Sequence, residues 1–300
     1  MRAITIGMLA VMLALSACSA SSTSDESQSD DSEQAEATTS GETTEDEQVA
    51  EDDADQDEKE AAEEDESEDK KDKQNDAAFK QKKPEYRMTD NYYIEPIDDA
   101  DSKVVLLTID DAPEDHAVEM AEKLKEMDAG AIFYINKMYV DQDGGKEKLE
   151  KIHDMGFPLG NHTDTHPNLS DLSGQEQRDE LTPVYDQIED ITGNPVKFFR
   201  APHGVNTDVS DQLAEKRDAL VMNWSYGYDF KPGYEDAAKL TDIMLHPDPE
   251  GLLRDGAILL MHDRDWTNKA LEDIVKGLRD QGYTILDPAL LKTPQSPEAE

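Results

Sequence analysis

The chain has 300 residues, of which 71 are acidic and 29 are basic, so its formal net charge at pH 7 is −42. This balance disfavours nucleic acid as a partner, because phosphate backbones are themselves anionic. The single cysteine excludes an intramolecular disulfide, and the length allows one or two domains.

Residues 1–17 are typical of an export signal. Arg2 precedes an apolar run from Ile4 to Leu15 that is short for a membrane-spanning helix. The run ends in Leu-Ser-Ala before Cys18, which resembles the lipobox of bacterial lipoproteins, where the cysteine is lipidated and becomes the mature N-terminus. We therefore predict a lipid anchor on Cys18 at the extracytoplasmic face of a bacterial cell membrane. The alternative is an ordinary signal peptide that is cleaved nearby.

The composition of residues 18–85 predicts a disordered acidic linker. Between Asp25 and Asp76 there are 25 acidic residues and four lysines, and aliphatic or aromatic residues are almost absent. Such a segment cannot bury enough apolar surface to offset its chain entropy. Because anionic membranes repel an anionic chain, we expect the linker to hold the folded part away from the lipid, in the cell wall. The simpler interpretation is that the acidity only aids solubility.

Residues 86–300 predict one folded domain in which strands and helices alternate. Helical spacing of apolar residues occurs at Glu114–Met127, Gly145–Met155, Gln175–Ile191, Val209–Arg217 and Asn268–Gln281. Short apolar runs predict seven strands, at Val104–Ile109, Ala131–Ile135, Phe157–Leu159, Val196–Phe199, Ala219–Met222, Ala257–Met261 and Thr284–Leu286. This order predicts a parallel α/β fold, and the lack of a clear eighth strand indicates a distorted, incomplete (β/α)7 barrel of the TIM type. An open doubly wound sheet is the competing topology.

The first predicted strand of the barrel ends in two carboxylates, Asp110 and Asp111. The aliphatic run before them is typical of a strand that is buried on both faces. Because successive side chains of a strand point in opposite directions, we expect one carboxylate to face a metal and the other to face a substrate. A solvated turn that caps the next helix is the simpler interpretation.

Other predicted strands also end in polar residues. His162 and His166 are four residues apart, which would place both rings on one side of a single turn, where they could bind zinc together with Asp111. Arg200 follows a strand and could hold Asp110, or it could form a surface ion pair. His262 follows the sixth strand and is a candidate proton donor, or alternatively part of a helix start.

Two loops complete the predicted site. Pro202 and Gly204 imply a tight loop whose backbone N–H groups could face an oxyanion. The aromatic run from Trp224 to Phe230 could line a sugar site or could simply pack locally. In a parallel barrel all these strand ends open onto one face, so we expect the polar residues to converge there.

The ordered set Asp-Asp, His-x-x-x-His, Arg-x-Pro-x-Gly, Trp…Asp and His-Asp resembles the five motifs of the NodB-type polysaccharide deacetylases, carbohydrate esterase family 4, over about Lys103 to Pro288. The resemblance implies that Asp110 is the catalytic base and His262 the catalytic acid. It implies a metal site formed by Asp111, His162 and His166. It also implies supporting and substrate-binding roles for Arg200 (orienting Asp110), Asp229 (supporting His262), His203 (oxyanion contact through its N–H), Leu260 (acetyl pocket), Trp224 and Phe230.

Several positions depart from the family pattern. Ile109 and Ala112 stand where the family usually has Phe and Gly, and His203 replaces a Tyr. Phe230 replaces a Trp, with one residue fewer before Asp229. These departures alter one wall of the predicted groove and the spacing of the fourth motif.

The resemblance implies a hydrolase that uses a divalent metal ion, zinc before cobalt, manganese or nickel, to remove N-acetyl groups from an N-acetylglucosamine-containing polysaccharide. The predicted anchor brings peptidoglycan within reach first, with chitooligosaccharide or poly-N-acetylglucosamine as further candidates. An O-acetyl esterase of the xylan type and a non-catalytic wall-binding lipoprotein stay open. A serine esterase is disfavoured because the chain has no Gly-x-Ser-x-Gly elbow.

Overall fold

The structure is a computed structural model that describes residues 79–247 and 251–294. The predicted export signal, Cys18 and the predicted linker up to residue 78 lie outside the described residues. Among the helices in the described ranges, none combines the length and the apolar character needed to span a bilayer.

The described chain alternates between strands and helices. An antiparallel hairpin is formed by β1 (Tyr86–Met88) and β2 (Ile94–Pro96). The parallel strands are β3 (Val104–Ala112), β4 (Ala131–Ile135), β5 (Leu159–Asn161), β6 (Phe198–Phe199), β7 (Leu220–Val221), β8 (Ala257–His262) and β9 (Thr284–Ile285). The helices are α1 (Ala117–Glu126), α2 (Lys137–Val140), α3 (Gly145–Asp154), α4 (Gly174–Thr192), α5 (Asp208–Lys216), α6 (Ala237–Leu245) and α7 (Asp265–Asp280).

The parallel strands form a curled sheet in the order β7-β6-β5-β4-β3-β8, and β9 pairs with the first residues of β3. Between the two outer strands of this order, the segment after β7 approaches β8. The backbone N–H of Tyr226 donates to Ile258, and Leu260 donates to Tyr226 in return. This single bridge takes the place of an eighth strand. The predicted distorted, incomplete (β/α)7 barrel is therefore confirmed, and the doubly wound alternative is wrong.

Side-chain alternation along the strands divides the apolar residues between two cores. On β3, Val105 and Leu107 belong to the outer core, which packs against the helices, whereas Val104 and Leu106 belong to the inner core of the barrel. The hairpin adds Tyr86 and Ile94 to the inner core. Because Ile94 bonds to Gly256, just before β8 begins, the hairpin lies at the amino-terminal end of the barrel. The opposite, carboxyl end is left for polar side chains.

Four features were not anticipated from the sequence, and the short helix α2 is one of them. The hairpin and α6 are additional elements, and residues 79–85, which fall in the predicted linker, pack on the domain. Lys82 and Glu85 donate backbone hydrogen bonds to the carbonyls of residues 289 and 290. The ring of Phe79 lies 6.5 Å from that of Phe198. A single apolar residue at the end of a charged tract gave too weak a pattern to indicate this packing.

His153, a histidine outside the predicted motifs, is buried. It lies on α3, and its Nε2 is 3.1 Å from Nδ2 of Asn194, in the segment that enters β6. His153 therefore has a structural partner in Asn194.

Candidate active site

Four polar side chains occupy inward-facing positions at the carboxyl ends of the parallel strands. Asp110 follows Leu106 and Thr108 on the inner side of β3, and Arg200 follows Phe198 by two residues in the same way. His162 and His262 follow β5 and end β8, respectively. The alternation that builds the inner core thus also turns these side chains towards one point above it.

A β-bulge brings the second carboxylate to the same point. Between Ile109 and Ala112, β3 contains one more residue than the facing stretch of β4, and Asp111 has a φ of +62°. Nε2 of His162 consequently lies 3.5 Å from Oδ2 of Asp110 and 3.9 Å from Oδ1 of Asp111. The bulge therefore brings the two carboxylates closer together than a regular strand would, although Asp111 faces His166 and Asp110 faces Arg200.

The two histidines of the second motif meet through a loop and not through a helical turn. Thr163 and His166 both have left-handed backbone conformations, with φ of +73° and +60°. Nδ2 of Asn136 donates to the carbonyls of His162 and Thr163, at 2.6 and 3.1 Å, and so fixes the loop. The ring centroids of His162 and His166 are 5.0 Å apart. The predicted convergence of the rings is observed, whereas the predicted turn geometry is wrong.

Asp111, His162 and His166 can hold a metal ion. One donor atom from each lies within 4.8 Å of the other two. Nδ1 of His162 is 2.8 Å from the carbonyl oxygen of Arg200, which leaves Nε2 free to act as a ligand. Two imidazole nitrogens and one carboxylate oxygen form a donor set that suits zinc and leaves positions open for water and substrate. The residues present therefore fit a divalent metal.

The surroundings also favour the protonation states in which these side chains can bind a metal. Burial, followed by the nearby His162, lowers the pKa of His166 to about 4, so its imidazole is neutral at pH 7. For Asp111, burial acts to raise the pKa, but the neighbouring His162, His262, His166 and Arg264 together lower it below its usual value. Neutral imidazole and ionised carboxylate are the forms that bind metals.

Arg200 fixes Asp110. The guanidinium is fully buried, and its Nη1 donates to Oδ1 of Asp110 at 2.7 Å and to Thr108 at 2.8 Å. Nε and Nη2 donate to the carbonyls of Met222 and Asn223. Because every nitrogen has an acceptor, the group cannot turn away from the carboxylate. Oδ2 of Asp110 is thereby left facing His162.

An aromatic ring and a glycine support the same guanidinium. The ring of Tyr134 lies 4.3 Å from Cζ of Arg200, in a cation–π contact. A Cβ at position 160 would lie 2.6 Å from that ring, so only glycine at this position leaves room for it. The buried guanidinium is therefore contacted on its face by the ring of Tyr134 and along its edges by hydrogen-bond acceptors.

Asp229 is placed against His262. Its Oδ1 lies 2.8 Å from Nδ1 of the imidazole, while its Oδ2 accepts from the His262 backbone N–H at 2.6 Å and from Thr267 at 2.8 Å. Burial lowers the pKa of His262, but Asp229, Asp110 and Asp111 outweigh this effect and raise it to about 9. The ring is thus an imidazolium at neutral pH, and its Nε2 carries a proton that it can donate.

The four residues predicted to bind substrate surround this cluster. The ring of exposed His203 lies 4.9 Å from that of His166, and Phe230, which is 47% exposed, lies 5.8 Å from His262. Trp224 is half-buried, 5.8 Å from the guanidinium of Arg200. Leu260 is buried two residues before His262, on the same side of β8. The first three form the rim of the site.

Sequence reasoning missed several supporting residues. Thr267 and Trp266 bind the side chain and the carbonyl of Asp229, and Arg264 binds Asp111, with 3.1 Å between Nη2 and Oδ2. The spacing of Trp266 and Thr267 gave no signal. Arg264 gave no signal either, because the helix predicted from the sequence begins four residues later, at Asn268.

The chain is similar to known deacetylases. Residues 98–220 match the family described as Polysaccharide deacetylase, a range that contains Asp110, Asp111, His162, His166 and Arg200 but ends before His262. PdaC of Bacillus subtilis, a peptidoglycan-N-acetylmuramic acid deacetylase, is 28% identical over 73% of this chain and 44% of its own length. PgdA of Listeria monocytogenes, a peptidoglycan-N-acetylglucosamine deacetylase, is 31% identical over 62% and 38%. This chain spans less than half the length of these two relatives.

Solved structures share the fold. BA3943 of Bacillus anthracis, described as a pseudoenzyme of the CE4 family, has a TM-score of 0.55 at 28% identity, over 65% of this chain and 69% of its own. A mutant of BA3943 is described as having restored enzymatic activity, and it is 31% identical to this chain with a TM-score of 0.54. Sequence, fold and site geometry therefore agree in their similarity to the polysaccharide deacetylases of the NodB type, carbohydrate esterase family 4.

Proposed function

We propose that this protein is a metal-dependent hydrolase that removes N-acetyl groups from N-acetylglucosamine-containing polysaccharide of the cell wall, with peptidoglycan as its substrate. One observation carries the proposal. A carboxylate held by a buried arginine, an imidazolium held by a buried carboxylate and a three-residue metal donor set all meet at one end of the barrel. Amide hydrolysis needs a base, an acid and a means of polarising the carbonyl, and these groups supply all three.

The residues divide the proton transfers between them. A divalent cation held by Asp111, His162 and His166 would supply Lewis-acid polarisation of the acetyl carbonyl and would activate water. Asp110, with Oδ1 fixed by Arg200, accepts the proton of the attacking water on Oδ2. His262 donates the proton on Nε2 to the leaving amine, and Asp229 stabilises the imidazolium until then. The backbone N–H of His203 would bind the oxyanion.

The named relatives support peptidoglycan as the polymer. PdaC acts on N-acetylmuramic acid and PgdA on N-acetylglucosamine, both within peptidoglycan. The half-buried Trp224 and the exposed Phe230 present flat apolar faces beside the acid and base, which suits a sugar chain. Chitooligosaccharide and poly-N-acetylglucosamine offer the same acetamido group and are further candidates.

The test is acetate release by the full-length protein from peptidoglycan, chitooligosaccharide and acetylated xylan, after chelation and after addition of zinc, cobalt, manganese or nickel. We expect zinc-dependent release from the first two. The Asp110→Asn variant serves as the matched control for contaminating activity. Release from xylan alone would instead support the O-acetyl esterase.

A non-catalytic wall-binding protein is the second candidate, and the similarity to a CE4 pseudoenzyme favours it. Against it stands the complete set of acid, base and metal donors in this chain. Binding to insoluble peptidoglycan without acetate release under any of the four metals would establish the non-catalytic function.

We also infer that the domain is tethered to the outer face of a bacterial membrane by a lipid on Cys18. The Leu-Ser-Ala-Cys sequence after a short apolar run supports this inference. Incorporation of labelled fatty acid by the wild-type protein, and its loss in Cys18→Ala, would be the expected result. Equal labelling of both proteins would contradict a lipid at this position.

A further inference from the structure

Arg264 binds a predicted metal ligand directly. Its Nη2 lies 3.1 Å from Oδ2 of Asp111, while Oδ1 of the same carboxylate lies 3.6 Å from Nε2 of His166 and 3.9 Å from Nε2 of His162. The two oxygens of Asp111 are thus divided between the guanidinium on one side and the histidine pair on the other. The family motifs in this sequence gave no role to Arg264.

The position of Arg264 is unfavourable for the helix that it begins. It is the N-cap residue of α7, with an extended backbone and no capping hydrogen bond from its side chain. N-caps favour side chains that accept hydrogen bonds, whereas arginine has only donors, and the positive end of a helix dipole disfavours a cation. A residue type that is unfavourable for the local structure is expected at positions where function requires it.

The side chain is also held in place by an aromatic ring. Cζ of Arg264 lies 5.9 Å from the ring centre of Trp266, and the indole N–H of Trp266 donates to the carbonyl of Asp229. The guanidinium is therefore linked through one residue to the segment that supports His262. Within the described residues its Nε is buried and has no acceptor, so the contact with Asp111 is the hydrogen bond that directs the group.

We propose that Arg264 is a positioning residue for the metal site. By holding Oδ2 of Asp111, it leaves Oδ1 as a single, oriented ligand atom towards His162 and His166. It parallels Arg200, which holds Oδ1 of the neighbouring Asp110, so that each of the two adjacent carboxylates has its own arginine. This inference rests on the proposed metal-dependent function and names a further residue on which metal binding depends.

Two effects of Arg264 on metal affinity oppose each other. A nearby cation repels a divalent ion, whereas a hydrogen bond that orients the ligand favours binding. The side chain of Arg264 is 40% exposed, so water and salt screen its charge, but they do not weaken the orientation of Asp111. Orientation therefore dominates, and partners of metal ligands of this kind change affinity about 10- to 100-fold.

The experiment measures zinc affinity of the full-length protein by competition with a chelator, without substrate. We expect Arg264→Gln to weaken zinc binding about 10- to 100-fold and Arg264→Lys to recover part of the loss. The control is Arg87→Gln, which removes the same charge from an exposed ion pair with Glu95 and should change affinity less than about twofold. At saturating zinc, kcat of Arg264→Gln should return to near the wild-type value, because Arg264 holds a ligand and takes no part in proton transfer.

Other outcomes overturn the inference. Zinc affinity of Arg264→Gln that equals or exceeds the wild-type affinity would show that Arg264 does not position Asp111. Unchanged zinc affinity with a raised KM for an anionic sugar polymer would assign Arg264 to substrate recognition instead. Failure of the wild-type protein to bind zinc, cobalt, manganese or nickel would overturn the proposed function itself. Melting of the metal-free proteins controls for misfolding, and Arg264→Lys keeps the charge if Arg264→Gln is unstable.

Discussion

Replacing Asp229 by Asn tests whether Asp229 keeps His262, the proposed proton donor, protonated. The substitution keeps the size of the side chain and one hydrogen-bond acceptor, but it removes the negative charge 2.8 Å from Nδ1 of His262. Asp229 is buried, and the imidazole is only 12% exposed, so little solvent screens the pair. The pKa of His262 should therefore respond strongly to this change.

The magnitude follows from the pKa values. Asp229 is the main cause that raises the pKa of His262, from 6.5 to about 9. The difference of about 2.5 units corresponds to about 3 kcal/mol. At pH 7.5 a pKa of 9 leaves about 97% of the imidazole protonated, and a pKa of 6.5 leaves about 9%. In Asp229→Asn, burial still lowers the pKa of His262 while Asp110 and Asp111 still raise it, so 6.5 serves as the reference value for the variant.

The assay is kcat/KM for acetate release between pH 5 and 10 with the metal-loaded enzyme. A bound cation will lower the pKa of His262 in both proteins, so we expect the alkaline limb of the wild type at or below pH 9 and that of Asp229→Asn about two units lower. At pH 7.5 the variant should lose at least about tenfold in kcat/KM. Asp236→Asn, at the exposed N-cap of α6, is the control and should leave the profile unchanged. An alkaline limb that does not move in Asp229→Asn would refute the proposal that His262 is the acid and that Asp229 raises its pKa.

Five further substitutions test other parts of the account. Asp110→Asn should lower kcat by about 10²- to 10⁴-fold with its zinc content unchanged, whereas His162→Ala should lose both zinc and turnover. Metal analysis together with acetate release distinguishes the two variants, and an active Asp110→Asn would contradict the role of Asp110 as the base. Phe230→Ala should raise KM for a polymer by up to about tenfold at constant melting temperature, because the ring is exposed beside His262; an unchanged KM would remove Phe230 from the substrate site. Gly160→Ala should destabilise the protein by about 1–3 kcal/mol in urea, since the new methyl group meets Tyr134; full stability would mean that the ring moves freely. In the metal-free protein the raised pKa of His262 stabilises the fold fully below about pH 6.5, and this stabilisation is lost as the pH rises through 9. The decrease in the free energy of unfolding caused by His262→Gln should therefore be up to about 3 kcal/mol larger at pH 6 than at pH 9.5. Equal decreases at the two pH values would contradict the raised pKa.

The strands, and the convergence of the candidate site residues at their carboxyl ends, could be predicted because both follow from simple patterns. The aliphatic run of β3 identifies a strand buried on both faces, and the polar residues that end it can only lie at the open end of a parallel barrel. The family resemblance then added roles for Asp229 and Leu260, whose positions alone indicated nothing. Both lie beside His262 in the structure.

The local geometry of the site could not be predicted because it depends on contacts between distant residues. Nothing in the Asp110–Asp111 pair indicates the bulge that turns both carboxylates towards His162. The left-handed loop at His166 depends on Asn136, which binds it from the end of another strand. The contact of Arg264 with Asp111 joins residues 153 positions apart. Such partners are specified by the tertiary fold.

The most direct measurement is acetate release from peptidoglycan by the full-length protein as zinc is added back to the chelated form. We predict no release without metal and a linear gain that saturates at one zinc per chain, with no gain in His162→Ala. Release that continues unchanged in the chelated protein, or no release from the fully loaded protein, would contradict a hydrolase built on Asp110, His262 and the Asp111, His162 and His166 metal site.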